Sequence, residues 1–169
     1  MIMPVCGERM DDLKRLLPAG PGSYLLALSL ASPQRLAVGA LGTFDFPAGF
    51  YLYCGSALGP GGIRARAGRH LEGRGALRWH IDFLLRRARL REIWAREDTL
   101  RLECLWAKAL AVSGLCEPPA PGFGASDCRC RAHLWRLRQG WRTSNAMPGA
   151  LPLPPHRVLV LAPSGSARL

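Results

Sequence analysis

The sequence predicts a small α+β domain in which an antiparallel sheet is flanked by helices. Two observations lead to this fold class. The first is a set of three apolar segments with strand character, separated by turns that contain proline or glycine. The second is that the segments following them have the apolar period of helices. A chain of 169 residues can form one domain with a buried core, and no apolar run approaches the length of a membrane span.

The first part of the chain is predicted to form a short helix and a three-stranded antiparallel meander. The helix covers residues 10–17. The strands are GSYLLALSL at residues 22–30, RLAVGALG at residues 35–42 and FYLYCGSA at residues 50–57. Between them, ASPQ and FDFPAG are typical of turns.

The second part of the chain is predicted to alternate helices and strands. GIRARAGRHL and LRWHIDFLLRRA are helices, RLREIWA is a strand, and TLRLECLWAKALA is a helix with Thr99 as its cap. CEPPAPGFGASDCRC is a loop and HLWRL is a final strand. From about residue 145 the chain is rich in Pro, Gly, Ser and Ala, and only HRVLVLA there is able to order. We therefore expect an N-terminal extension at 1–20, a domain at 21–144 and a tail at 145–169.

The charge of the chain is strongly positive. There are 23 Lys and Arg against 12 Asp and Glu, a net charge of +11, and all but two of the basic residues are arginines. Residues 64–101 hold eleven arginines and five acids, and residues 129–142 hold five arginines and no acid. A genome rich in G and C would favour arginine codons, but it would not deplete acids in the same segments. Clustered arginine favours a nucleic-acid partner.

The N-terminal residues and the cysteines indicate a cellular compartment. The first 20 residues carry mixed charges and no basic segment followed by an apolar one, which predicts no signal peptide and a cytoplasmic location. The chain has six cysteines, and in the cytoplasm these are expected to be thiols rather than disulfides.

A strand-to-helix junction gathers residues that could carry chemistry. Tyr24 and Tyr53 lie on strands that a meander can bring side by side. Arg66 and His70 are four residues apart and therefore share one face of the following helix. The turn before that helix, LGPGG, has glycines that allow a backbone path that larger residues would strain. The alternative interpretation is a tyrosine-rich strand next to a solvated basic helix.

Glu103 is a second candidate. The residues three, four and seven positions after it are Trp106, Ala107 and Leu110, so its helical face is otherwise apolar. A carboxylate buried there needs a partner, because an unpaired buried charge is costly. The partner could be an arginine, a metal ion or both, and a structural ion pair is a serious alternative to a metal site.

The segment SDCRCRAHL is a third candidate. Cys128, Cys130 and His133 have a C-x-C-x-x-H spacing that could supply three zinc ligands, with another cysteine as the fourth. No C-x-x-C pair accompanies them, so the signal is weak. These residues leave open a further class of function, that of a zinc-stabilised interaction protein.

Together, GSY, YCGSA, an Arg, a His four residues later and a Glu on a downstream helix resemble the GIY-YIG nuclease family. Arg66 and His70 follow Gly55 by 11 and 15 residues, farther than in the family's usual layout, as an extended LGPGG turn would produce. The motifs GPGG, WHIDFLL, EC and GFGASDCRC-x-x-HL, in this order, resemble one branch, a domain of unknown function. Some members of that branch are fused to a base-excision DNA glycosylase. The resemblance covers about residues 22–137, with Cys54 where Ile or Val is usual.

The resemblance implies a metal-dependent endonuclease that hydrolyses phosphodiester bonds in DNA, in repair or processing. Glu103 would hold Mg²⁺ or Mn²⁺, Tyr53 or Tyr24 would activate water, Arg66 would stabilise the phosphate charge, and His70 would assist proton transfer. We expect further nucleic-acid contacts from Ser56, Arg64, Arg69 and Arg74. RNA remains open as a substrate, and a glycosylase-type repair enzyme is a candidate partner. The alternative function is a non-catalytic nucleic-acid-binding module on the same fold.

The interpretation leaves three polar residues without a role. His80 and Asp82 are two positions apart on a predicted helix, so they cannot both line one site as a helical pair. We expect His80 to be a packed histidine that bonds to the backbone. Asp127 could brace the wall of the site or contact the substrate.

Overall fold

The computed structural model describes residues 9–73, 75–138 and 146–161, and it confirms the predicted α+β class. The strands of the main sheet are Gly22–Leu30 (β1), Gly49–Ala57 (β4), Arg89–Glu97 (β5), Cys116–Glu117 (β6), Leu134–Leu137 (β7) and His156–Val160 (β8). Their spatial order is β6-β7-β4-β1-β5-β8, and all neighbours are antiparallel. The helices are Met10–Arg15 (α1), Gly62–Glu72 (α2), His80–Leu85 (α3), Leu102–Val112 (α4) and Ala146–Gly149 (α5).

The sheet has an apolar core on each face. Side chains of a strand alternate between the two faces of the sheet. Because β1 is buried on both faces, its sequence is a nearly continuous run of apolar residues. Leu26 and Leu28 belong to one core cluster, together with Ile63 of α2 and Leu84 of α3. The opposite face packs against α4, with residues such as Leu25, Leu52, Trp106 and Leu110 in a second cluster. The central strands β1 and β4 are thus fixed from both sides.

The predicted meander is wrong in its second strand. Gln34–Ala37 (β2) pairs with Thr43–Phe46 (β3) in a separate two-stranded sheet, and β4 pairs directly with β1. Part of FDFPAG, predicted as a turn, is therefore a strand. The physical reason is burial, because β2 alternates between half-exposed and exposed residues and could not lie between two strands that are buried on both faces.

Two helix starts also differ from the prediction. The segment LRWHIDFLLRRA is helical only over α3, which begins after Trp79, because Asp82 Oδ2 accepts hydrogen bonds from the backbone N–H groups of Arg78 and Trp79. Helix α4 begins after Arg101 and not at Thr99. Thr99 is therefore not the cap of α4.

The segment from about residue 145 contributes a strand to the main sheet. β8, which lies within HRVLVLA, pairs with β5 at the edge of the sheet. Before it, the carbonyls of Pro152 and Leu153 accept hydrogen bonds from Trp106 Nε1, and Leu151 is buried against the α4 face. Among the described residues, no helix has the length and apolar character needed to cross a membrane.

Candidate active site

A cavity of about 230 Å³ opens at one edge of the sheet, beside β4. β7 pairs with β4 only along residues 51–53, and a bond of 2.9 Å from the N–H of Cys54 to the carbonyl of His133 ends this contact. The next residues, Gly55 and Ser56, pair with β1, but within the described part of the chain no strand pairs with them on the other side of β4. The cavity is lined by Tyr24, Tyr53, Cys54, Ser56, Arg66, His70, Arg78, Trp79, His80, Arg101, Glu103, Gly124, Ser126, Asp127 and His133.

The open edge lets side chains from both faces of the sheet reach the same space. Tyr24 and Tyr53 belong to the face that carries α2 and α3, whereas Cys54 belongs to the α4 face. One group of lining residues, which we call the tyrosine side, consists of Tyr24, Tyr53, Arg66 and His70. A second group, which we call the carboxylate side, consists of Arg101, Glu103, Asp127 and His133.

Tyr24 is held by a glycine on the neighbouring strand. Gly55 is the partner of Tyr24 in the β1–β4 register, and a Cβ atom at Gly55 would lie 2.3 Å from Cζ of the Tyr24 ring. Since real Cβ atoms do not approach a ring so closely, the glycine in YCGSA is required for the ring to lie flat across β4. The motif therefore has a packing role in addition to any chemical one.

A hydrogen bond joins Tyr24 to His70. The Tyr24 hydroxyl lies 2.9 Å from Nε2 of His70, and both residues are buried. On the other side of the imidazole, Nδ1 lies 3.6 Å from Oδ1 of Asp82. Asp82 in turn accepts two hydrogen bonds from the guanidinium of Arg69 at 3.1 and 2.9 Å. The resulting order is a phenol, an imidazole and a carboxylate, with the carboxylate behind the histidine.

Burial sets the protonation states of these groups. Desolvation raises the pKa of Tyr24 and Tyr53 well above their usual value, and the charge of Arg66 opposes this rise in both. Desolvation also lowers the pKa of His70, against the opposing effect of Asp82. Burial alone would raise the pKa of Asp82, but the neighbouring imidazole of His70 and hydrogen bonds from Arg69 and from backbone N–H groups hold it well below its usual range. At neutral pH the two phenols and the imidazole are uncharged and Asp82 is ionised.

Arg66 is positioned by an aromatic ring and a backbone carbonyl. Its guanidinium donates a 2.6 Å hydrogen bond to the carbonyl of Ser56 and lies 4.4 Å from the centre of the Trp79 ring. Arg69 also lies 4.4 Å from that ring, and His70 packs edge-on against it. Trp79 thus orders two arginines and the histidine through ring contacts.

On the carboxylate side, Glu103 is buried, and its carboxylate already accepts hydrogen bonds from Arg101 and Ser23 and a weak one, at 3.9 Å, from the thiol of Cys104. Its Oε1 accepts a 3.0 Å hydrogen bond from Nε of Arg101, and its Oε2 accepts a 2.8 Å bond from the hydroxyl of Ser23. The Ser23 oxygen also accepts a 3.2 Å bond from the backbone N–H of Glu103. Ser23 on β1 therefore satisfies one of the free N–H groups of the first turn of α4 and fixes Glu103 at the same time.

Arg101 connects the buried carboxylate to an exposed one. Its Nη2 lies 2.9 Å from Oδ2 of Asp127, so one guanidinium bridges Glu103 and Asp127. Asp127 therefore lines the cavity in an ion pair with Arg101. Its two proposed roles, bracing the wall or contacting the substrate, stay predictions. Beside this bridge, Cys128, Cys130 and His133 lie close to Cys104, the residue that follows Glu103.

The comparisons with known proteins identify one family. Residues 23–152 match the domain of unknown function DUF123, which is well over half of the chain. The chain belongs to this family. It matches no curated protein and no solved structure. The DUF123 region contains the whole cavity lining and also reaches past residue 145 into the segment predicted as a tail.

The further residues predicted to contact nucleic acid are distributed unevenly in the DUF123 domain. Ser56 lines the cavity. Arg64 lies away from it, where its guanidinium donates to the carbonyls of Arg15, the last residue of α1, and of Leu17. Arg69 lies behind the cavity wall in its ion pair with Asp82. Arg74 lies outside the described residues.

Sequence reasoning missed several residues of the site. Trp79 and Arg101 were given no role, although each is near a candidate in the sequence, and Asp82 was not connected with His70. His80 accepts a 3.0 Å bond at Nδ1 from the N–H of Gly124, as expected for a packed histidine, and it also lines the cavity. A buried carboxylate preceded by an arginine two residues earlier is a signal that could have identified Arg101.

Proposed function

We propose that the chain is a metal-dependent endonuclease of the GIY-YIG type that hydrolyses phosphodiester bonds in DNA. One observation carries the proposal. Tyr24, Tyr53, Arg66, His70 and Glu103 come from four separate segments of the sequence and line one cavity. A role in repair beside a DNA glycosylase rests on the resemblance alone.

The arginines of the cavity support phosphate binding. Arg66 and Arg78 line it together with Arg101, and a planar guanidinium can contact two phosphate oxygens. Because Trp79 and the Ser56 carbonyl already hold Arg66, little side-chain entropy is lost when it meets a phosphate. We assign to Arg66 the stabilisation of charge that develops on the phosphate oxygens.

The pair of Tyr24 and His70 supports proton transfer from an attacking water. With its pKa raised by burial, a phenol is a poor base by itself. Tyr24 can pass its own proton to Nε2 of His70 while its oxygen takes one from the water. The imidazolium formed in this way is stabilised by Asp82 next to Nδ1. The geometry therefore favours Tyr24 over Tyr53 as the water-activating tyrosine.

The residues around Glu103 fit a divalent cation that prefers oxygen ligands. Mg²⁺ and Mn²⁺ are held in such sites by one or two carboxylates and keep several waters. Oε2 of Glu103 has one hydrogen-bond donor, Ser23, and therefore one lone pair left. Oε1 has Arg101 and, at 3.9 Å, the thiol of Cys104, and Arg101 is exposed enough to move aside. When bound, the cation would polarise the phosphate and lower the pKa of bound water. Glu103 would hold the ion, and Ser23 would keep the carboxylate oriented.

The alternative, a nucleic-acid-binding module without activity, is favoured by one observation. Arg101 already neutralises Glu103 at 3.0 Å, which is what a purely structural ion pair would require. In that case the basic lining would bind nucleic acid, and Glu103 would serve only to fix α4 to β1.

Substitution of Glu103 by Gln separates the two functions. Cleavage of supercoiled plasmid and of branched DNA is measured in Mg²⁺ and in Mn²⁺, together with DNA affinity and thermal unfolding. If Glu103 holds the cation, Glu103→Gln abolishes cleavage and leaves folding and affinity nearly unchanged, because the amide keeps the shape and loses the charge. If Glu103 is a structural partner, the free energy of unfolding falls by about 1–3 kcal/mol, because the hydrogen bonds to the buried carboxylate weaken while the half-exposed Arg101 keeps Asp127 as its partner.

Glu117 offers a matched control. It is also a carboxylate paired with arginines, Arg136 and Arg138, but it lies outside the cavity. Glu117→Gln should keep the wild-type cleavage rate. Wild-type protein that is folded, binds DNA and cuts neither substrate in either metal would contradict the proposed nuclease and leave the binding module.

A further inference from the structure

Four ligand atoms of the kind that bind zinc lie together at the back of the carboxylate side. They are the sulfurs of Cys104, Cys128 and Cys130 and a ring nitrogen of His133, and all lie within 4.8 Å of one another. Nε2 of His133 is 3.4 Å from the Cys128 sulfur and 3.8 Å from the Cys104 sulfur. The fourth ligand that the C-x-C-x-x-H spacing required is thus supplied by α4.

We propose that these four residues bind a structural zinc ion, and that this ion joins the loop at residues 118–133 to the start of α4. The proposal is independent of nuclease activity. It concerns a cation different from the one assigned to Glu103, since it is held by sulfur and nitrogen rather than by oxygen.

Two sulfur–nitrogen distances in the group are close to those of tetrahedral zinc. With Zn–S near 2.3 Å and Zn–N near 2.0–2.1 Å, tetrahedral geometry places two sulfurs about 3.8 Å apart and a sulfur and a nitrogen about 3.6 Å apart. The two sulfur–nitrogen distances lie on either side of that value. Three thiolates and one imidazole select zinc over Mg²⁺, and a complete set of four protein ligands is typical of a structural site.

The loop that carries three of the ligands is long and would be stabilised by a cross-link. Residues 118–133, between β6 and β7, contain no helix or strand. Loops longer than about 12–15 residues without secondary structure are uncommon in compact domains. Phe123 and Ala132 of this loop are nevertheless fully buried. A metal that ties the loop to α4 explains how such a segment holds a fixed conformation.

The site would also position the carboxylate side. Cys104 directly follows Glu103, and Cys128 directly follows Asp127. Both carboxylates bond to Arg101, so the zinc ion would hold the two backbone segments from which the Arg101 bridge is built. The roles of Cys128 and Cys130 that the sequence left open would then be those of zinc ligands.

The rival interpretation is a redox-active group of thiols. The five cysteines in the described residues are all free, and the three in the cluster are close enough to form a disulfide after some backbone movement. A disulfide would leave His133 without a role in the cluster, whereas zinc uses all four residues. Thiol counting distinguishes the two.

The test is the metal content of the full-length protein, purified without added zinc or chelator. Elemental analysis after extensive buffer exchange should give about one zinc per chain. The same protein grown with cobalt should show the visible and charge-transfer absorption of tetrahedral Co²⁺ with thiolate ligands. Removal of zinc with a strong chelator should lower the melting temperature, and addition of Mg²⁺ should not restore it. None of these readouts uses DNA cleavage.

Variants locate the ion. Cys128→Ser and Cys130→Ser should each lose bound zinc and the cobalt spectrum. Cys116→Ser should retain both, because Cys116 is a thiol on β6 that bonds to Ser113 and lies outside the cluster. Folded wild-type protein with little zinc and no thiolate–cobalt absorption would overturn the proposal, and so would a disulfide within the cluster. Zinc that survives both single substitutions would place the ion elsewhere.

Discussion

The two sides of the cavity are built in different ways. On the tyrosine side Tyr24 and His70 are almost fully buried, and their hydrogen bond runs between a strand and a helix. On the carboxylate side only Glu103 is buried to that degree among the charged groups, because the side chains of Arg101 and Asp127 are 45% and 73% exposed. Arg101 precedes α4, and Asp127 lies in a loop.

The tyrosine side is therefore held mainly by packing, whereas the carboxylate side is held mainly by ion pairs. Close-packed rings have one low-energy arrangement, because any shift opens a void or a clash. An exposed ion pair contributes only about 0–1 kcal/mol to the free energy of unfolding, so it can open and close. We infer that the tyrosine side keeps one geometry while the carboxylate side rearranges when a cation reaches Glu103.

The largest expected effect tests whether the tyrosine side carries the phosphate chemistry. Arg66→Ala should lower the cleavage rate about a hundredfold or more, by analogy with the loss of one donor to a developing negative charge. Single-turnover cleavage kinetics at saturating protein measure this loss. The melting temperature should change little, because Arg66 is half-buried and pairs with a carbonyl rather than with an acid.

Arg64 is the matched control for that experiment. It lies on the same helix two residues earlier, and its guanidinium bonds to carbonyls at the end of α1, outside the cavity. Arg64→Ala should keep the cleavage rate. Equal losses in the two variants would show that general positive charge, rather than the placement of Arg66, is what matters.

A smaller effect tests whether packing fixes Tyr24. A methyl group at residue 55 would lie 2.3 Å from the Tyr24 ring, so Gly55→Ala must displace the ring or the strand. Overpacking of this kind costs about 1–3 kcal/mol. Urea unfolding measures the change, and the bond between Tyr24 and His70 should weaken with it.

Gly59 is the control for the glycine substitution. It lies in the LGPGG turn, and a Cβ atom there would meet nothing within 4 Å. Gly59→Ala should change the free energy of unfolding by no more than about 0.5 kcal/mol. If Gly55→Ala is equally mild, the ring has room to move and the tyrosine side is not the rigid one.

Much of the fold could be predicted because the relevant patterns are local. β1 was predicted with the observed bounds, and β4 and α2 within two residues at either end. The partner of β2 was wrong because alternation of polar and apolar residues predicts a strand but not its partner. β3 was missed because the proline and glycine of FDFPAG predict a turn. Arg78 and Trp79 were wrongly included in a helix. The hydrogen bonds from their N–H groups to Asp82 set the start of α3, and the apolar spacing of the sequence does not show such bonds.

The residues of the candidate site also fall into those that local patterns predict and those that they do not. Tyr24, Arg66, His70 and Glu103 could be chosen from motifs, since each lies at a fixed place in a recognisable segment. Their partners could not, because they depend on tertiary contacts. Ser23 caps α4 from 80 positions away, and Cys104 joins a cysteine group whose other members begin 24 residues later.

The smallest expected effect concerns pH, and it follows from the burial of His70. Burial lowers the pKa of His70 below its usual 6.5, despite the nearby carboxylate of Asp82. Between that lowered pKa and 6.5, the unfolded chain binds more protons at this residue than the folded chain does. The free energy of unfolding should therefore fall as the pH drops through this window, and the loss should stop below the folded-state pKa.

Comparison of the wild type with His70→Gln isolates this contribution. Urea unfolding is measured at several values between about pH 5 and 8. His80 and His133, whose pKa values are also lowered by burial, titrate in both proteins and cancel in the difference. The wild type should lose more stability on acidification than the variant, because only the wild type must place a proton on the nitrogen that Tyr24 uses. Parallel losses in the two proteins would mean that His70 accepts a proton without disturbing Tyr24, and the tyrosine side would then be as adaptable as the carboxylate side.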